Sequence, residues 1–107
     1  MTTYTNVSYA VKNVSTSGST VTTVSSGTLA VASLVVSNTS SSPITCDVYI
    51  TRSAVNYYIV KGATVAVRGS NECIQGNRIM LQTSDILVVV SSAATSADAW
   101  VSGMTVV

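Results

Sequence analysis

The chain has 107 residues, a formal net charge of +1, nine charged side chains and no His, so it amounts to one domain with little to offer acid–base chemistry. Its five basic residues (Lys12, Arg52, Lys61, Arg68 and Arg78) are scattered, which leaves no nucleic-acid footprint. Val, Ser and Thr fill 52 positions (19, 18 and 15), and β-branched residues mixed with small hydroxyl residues suit a pleated, half-buried surface.

In chain order, Val7, Tyr9 and Val11 alternate with Ser8, Ala10 and Lys12, so the first segment reads as a strand or an extended arm. Residues 20–24 form a second short candidate, closed by a turn at Ser25, Ser26 and Gly27. Residues 28–38 are long enough for a core strand and end in turn chemistry running from Asn38 to Pro43. The next strand has the clearest pattern. Ile44, Cys46, Val48 and Ile50 point one way and Thr45, Asp47, Tyr49 and Thr51 the other, and with 28–38 it is expected to form a hairpin.

Residues 56–61 continue in the same style until Gly62 breaks them ahead of a short segment at 64–67, and residues 68–72 read as a loop. Ile74 and residues 78–81 flank a modest turn signal at Gly76 and Asn77. Asp85, in a Thr-Ser-Asp turn, precedes the apolar run 86–90, and a loop at 92–98 leads to a last strand through Trp100. Seven to nine short strands joined by loops predict an all-β antiparallel β-sandwich, immunoglobulin-like or jelly-roll-like. Residues 1–27 would be an N-terminal arm or edge strands, and residues 28–107 the sandwich domain.

The run 86–90 is the longest purely apolar stretch and is far too short for a membrane helix. The N-terminus lacks the basic and apolar regions of a secretory signal, so cytoplasmic synthesis is expected. Cys46 and Cys73 are then expected as reduced, half-buried thiols. The Asn-X-Ser/Thr triplets at Asn6, Asn13 and Asn38 are what chance supplies in a chain this rich in Ser and Thr.

Catalysis finds no constellation. A Ser nucleophile needs a base, and the sequence has neither His nor a Gly-X-Ser-X-Gly or Ser-X-X-Lys motif. Asp47 reads as a wet-face residue, and Asp85 as a turn residue bonding a nearby backbone N–H. Two Cys without His give no transition-metal spacing, so neither a metal nor another cofactor is expected.

Binding has more candidates. Leu34 to Val36 and the run 86–90 are apolar on both faces, whereas a sandwich strand normally keeps one face wet. Leu34, Val36, Leu87 and Val89 are therefore expected at a subunit contact, unless a loop or the N-terminal segment covers them. Tyr57 and Tyr58 must face opposite sides, so at most one joins Tyr49 in an exposed patch while the other enters the core. Tyr49, Tyr58 and Trp100 are aromatic contact candidates, and Arg52 is of the type that anchors interfaces, set against an ordinary solvated strand end.

Three stretches carry a family resemblance: Leu34-Val-Val-Ser-Asn-Thr-Ser-Ser-Ser-Pro-Ile-Thr-Cys-Asp-Val-Tyr-Ile-Thr-Arg52, Asn56-Tyr-Tyr-Ile-Val-Lys-Gly62, and Ile79-Met-Leu-Gln-Thr-Ser-Asp-Ile-Leu-Val-Val-Val-Ser-Ser92. In that order they resemble small β-sandwich virion structural proteins of tailed bacteriophages, of the capsid decoration or cement class. The resemblance rests on general pattern more than on an invariant motif. It implies a non-catalytic protein on the virion, made in the host cytoplasm, whose partners are the major capsid protein and copies of itself in a trimer. Neither a nucleic-acid nor a membrane partner is expected. Tyr4 and Tyr9 would then anchor an arm ordered by its neighbour. The alternatives are a neck or tail-fibre module binding host glycans, or a head–tail connector or tail-tube subunit.

Overall fold

The computed structural model describes residues 2–74 and 78–107. Among these there is no helix, and nine strands follow in order: β1 (Tyr4–Val11), β2 (Ser19–Thr23), β3 (Thr28–Asn38), β4 (Ile44–Arg52), β5 (Val55–Val65), β6 (Ser70–Glu72), β7 (Ile79–Leu81), β8 (Ile86–Ser91) and β9 (Ala97–Val106). They form two antiparallel sheets, β1-β9-β3-β6 with β7 also on β3, and β2-β8-β4-β5. We call them sheet I and sheet II.

Taking β6 and β7 as one strand broken in two, the order is that of a jelly roll, the double-sheet arrangement of two Greek keys. Each sheet then has four positions, and every connection except the β4–β5 hairpin switches sheets. The break is local. β6 pairs with β3 at Val35, Val36 and Ser37 and β7 pairs with it at Leu29, Ala30 and Val31, and between these stretches β3 shifts register against β9 at Val31/Ser33.

The β3–β4 hairpin is not formed. β3 lies in sheet I and β4 in sheet II, because the intervening turn carries the chain across the core instead of back along its own sheet. Asn38 holds that crossing. Its side-chain amide donates to the carbonyls of Ser42 (2.8 Å) and Val65 (3.2 Å), and its side-chain oxygen accepts from the Ser40 N–H (2.9 Å) and hydroxyl (2.7 Å). A buried Asn with its polar atoms engaged is a stable hinge. Alternation alone cannot distinguish such an arch from a hairpin, because both strands show the same period.

Other boundaries also move. β5 runs straight through Gly62, which takes a left-handed φ of 67° beside a register shift between β4 and β5, so Gly62 forms a bulge and does not end the strand. The expected loop at 68–72 contains β6, and β9 begins at Ala97, earlier than Trp100. The turn signal at Gly76 and Asn77 lies outside the described residues. Residues 1–27 supply one edge strand to each sheet, β1 beside β9 and β2 beside β8.

Between the sheets sits one apolar cluster. Leu29, Val31, Leu34, Val36 and Val101 come from sheet I, and Val48, Val65, Leu87 and Val89 from sheet II, each at most 1% exposed. Burial of each such side chain stabilises the fold by about 1.5–3 kcal/mol. Cys46 and Cys73 belong to the same cluster and are fully buried, not half-buried.

Candidate functional site

The apolar runs obey strict alternation once their register is known. Leu34, Val36, Leu87 and Val89 are 0% exposed and point into the core, so they are unavailable to a partner. The residues between them face outward. In sheet II the outer side chain of Val88 is covered from within the chain: a Cβ added to Gly18 would lie 3.2 Å from Val88 Cγ1 and 3.4 Å from the Tyr49 hydroxyl. The segment ahead of β2 thus supplies the cover that the sequence left open.

Tyr9 also leaves the list of contacts. It pairs with Val101 and packs half-buried against the core. Arg52 is occupied inside the chain. Its Nε and Nη2 donate to the two carboxylate oxygens of the buried Asp85 at 2.8 and 2.6 Å, and Asp85 also accepts from the Gln82 N–H at 2.7 Å. The bidentate Arg–carboxylate fork ties the end of β4 to the start of β8, and it holds the Asp85 carboxyl below the usual carboxylate range.

Two aromatic groups remain at the surface, one on each sheet. On sheet II, Tyr49 and Tyr58 are cross-strand partners with ring centroids 5.1 Å apart. Lys61 Nζ lies 4.5 Å from the centre of the Tyr58 ring and 3.7 Å from Asp47, and Asp47 accepts the Gly62 N–H at 2.7 Å. Tyr57 does not enter the core: it is 57% exposed. The reason is local, since every residue from Val55 to Tyr58 is exposed and both faces of the hairpin end stand in water.

On sheet I the outer face is broader. Trp100 is 53% exposed and is paired with Ala10 on β1 and Val35 on β3. Two rows along, Met104 lies between Asn6 and Ala30, with Met80 of β7 opposite Ala30. Between these rows sits a hydroxyl row of Ser8, Ser102 and Ser33, and at the far end Tyr4 pairs with Val106. Small residues leave shallow depressions of about 260 Å³ beside Trp100 and about 360 Å³ around Ala30, Ala32 and Met104.

Charge is confined to the margins of this face. Lys12 donates to Asp98 at 3.1 Å, and Asp98 also accepts the Asn13 N–H at 3.0 Å. Those contacts, the Asn13 bond first, lower the Asp98 pKa. Glu72 accepts from the Ser33 hydroxyl and from the Leu34 and Ile74 N–H groups. Burial pushes Glu72 up, but these bonds outweigh it and its pKa is lowered. Arg78 borders the larger depression.

Trp100 and Tyr4 were legible as candidates and Val35 lay within the flagged run Leu34 to Val36, while Ala10, Met80 and Met104 were missed. A usable signal existed for Met104 and Val106, which share the parity of Trp100 along one strand. Val35, Ala10 and Met80 join them only through strand register. As chemistry, the carboxylates do not converge: Asp85 is saturated by Arg52 and Gln82, and Asp47 faces Lys61 and Gly62. Among the described residues no group of three or more Cys, Asp or Glu could hold a metal ion.

No protein-family model matches this chain, and no curated protein does. Among solved structures it is similar to a chain from Bacillus endospore appendages, described as a novel family of disulfide-linked pili. The TM-score is 0.55 at 13% identity, covering 97% of this chain and 87% of that one. At that identity the likeness is one of fold.

Proposed function

We propose that this chain is a structural subunit that packs against copies of itself through the outer face of sheet I. The observation that carries the reading is the Trp100 face. A half-exposed Trp, two Met and a Val, spaced by Ala and Ser and free of charge except at the margins, form a surface suited to close packing against an uncharged partner. A second copy meets that requirement, because few like charges oppose the approach of a chain with net charge +1. The fold shared with a pilus chain supports a repeating structural role, as does the absence of a catalytic motif from the sequence.

The assembly it would serve has two readings. An appendage-like filament is favoured by the fold likeness. Decoration of a tailed-phage capsid, with a trimer bound to the major capsid protein, is favoured by the sequence pattern of residues 34–52, 56–62 and 79–92. Analytical ultracentrifugation and negative-stain microscopy of the purified chain separate them: open filaments support the first, and discrete trimers that bind expanded capsids support the second.

Covering the exposed half of Trp100, about 100–130 Å² of surface, is worth about 2–3 kcal/mol per copy. Trp100→Ser is therefore expected to weaken association at least about 30-fold, and to lower the monomer's thermal midpoint as well, because the buried half of the ring is also lost. Equal association of Trp100→Ser and the parent chain would remove this face from consideration.

A further inference from the structure

Cys46 and Cys73 come from opposite sheets. Cys46 lies on β4 in sheet II, paired with Ala63 of β5 and Ser91 of β8. Cys73 follows β6, and its N–H donates to the Leu34 carbonyl of sheet I at 2.8 Å. Both side chains point into the same core cluster, 1% and 7% exposed.

The sheets close on each other at this point. The Asn71 side chain, two residues before Cys73, reaches the Thr64 carbonyl of β5 at 3.5 Å, beside the Ala63 that pairs with Cys46. The Cys73 thiol donates to the Asn71 carbonyl at 3.8 Å, and the two thiols are near enough to perturb each other's proton affinity. The neighbouring Cys46, with burial second, pushes the Cys73 thiol up, while the neighbouring Cys73 lowers that of Cys46.

We propose that Cys46 and Cys73 are a site of oxidative cross-linking, forming an intramolecular disulfide between the two sheets by exchange with a small-molecule disulfide. One Cys thiolate attacks a sulfur of the small disulfide, giving a mixed disulfide and releasing one small thiolate. The second Cys then attacks the protein sulfur of that mixed disulfide and releases the second small thiolate. The protein loses two electrons and two protons, and the small disulfide is reduced to two thiols. Burial makes exchange on the folded protein depend on local opening, whereas during folding both sulfurs are accessible. The product closes a loop with 26 residues between its ends. It would constrain the unfolded chain enough to raise the thermal midpoint by about 10–15 °C. This inference does not depend on what the subunit assembles into.

The test is refolding of the full chain from denaturant in a buffer of oxidised and reduced glutathione, beside native protein incubated in the same buffer. Thiols are then alkylated under denaturing conditions, and intact mass, peptide mapping and thermal unfolding are recorded. The expected product is a monomer lighter by two hydrogens, with no alkylated Cys, a linked Cys46–Cys73 peptide and a raised midpoint that a reductant reverses. Cys73→Ala should show no such gain. Two free thiols after refolding, two glutathione adducts, or a ladder of disulfide-linked chains would each overturn the proposal.

Discussion

Replacing Leu34 by Ala and, separately, its neighbour Val35 by Ala tests the assignment of faces on β3. Leu34 is fully buried. Losing its isopropyl group forfeits about 2.4 kcal/mol of transfer free energy, and the cavity left in a core of Val and Leu brings the loss to about 3–4 kcal/mol. Unfolding entropy for a 107-residue chain is about 0.22 kcal/mol/K, so the thermal midpoint should fall by about 15 °C. Val35 stands half-buried on the outer face beside Trp100. Its loss should cost about 0.5–1 kcal/mol, or about 2–4 °C. Scanning calorimetry on dilute samples, where association is minimal, measures both. Equal drops, or a larger drop for Val35→Ala, would refute the inward orientation of Leu34 and with it the identity of the outer face.

Stability should be flat between about pH 5.5 and 7, since the chain has no His, and should decline in acid. The folded-state pKa values of Asp85, Glu72 and Asp98 are lowered, so the unfolded chain binds more protons through the carboxylate range. Their contribution is complete above the unfolded values near about 4 and is lost as pH falls through the folded ones. Urea midpoints at pH 3 and pH 6 should therefore differ, and Asp85→Asn should narrow that difference; an unchanged slope would remove the Arg52 fork from the account. At the β4–β5 turn, Ser53 and Ala54 both take left-handed φ, 53° and 63°. That pattern belongs to a type I′ turn, so Ser53→Asn with Ala54→Gly should raise stability by about 1 kcal/mol in urea unfolding. Gly103→Ala should do the opposite by about 1–3 kcal/mol, because its Cβ would lie 2.3 Å from the Ala30 carbonyl oxygen.

The fold class was readable because its signal is local. Period-2 alternation in residues such as Ile44, Cys46, Val48 and Ile50 depends on neighbours along the chain and marked β4 almost to the residue, while apolar runs bounded by turn residues marked β3 and β8. Errors came where two segments had to be related. Residues 28–38 and 44–52 have the composition of a hairpin, yet Asn38 turns them into an arch. Leu34 and Leu87 looked unpartnered because an apolar run does not announce its parity, while the opposing sheet covers one face of it completely. Arg52 and Asp85, 33 positions apart, met only through register.

By itself, then, the sequence determined an all-β chain with little acid–base chemistry, hydroxyl-rich wet faces and one cysteine, Cys46, on the apolar face of its strand. Those properties follow from side-chain type and alternation along single strands. The tertiary structure decided which alternate residues are core, that the Gly18 segment covers Val88, and that Trp100, Val35, Met80 and Met104 share one face. It also brought Cys46 and Cys73 together. The physical reason is that faces and contacts are properties of strand pairs and stacked sheets, which only the register and the crossing at Asn38 specify.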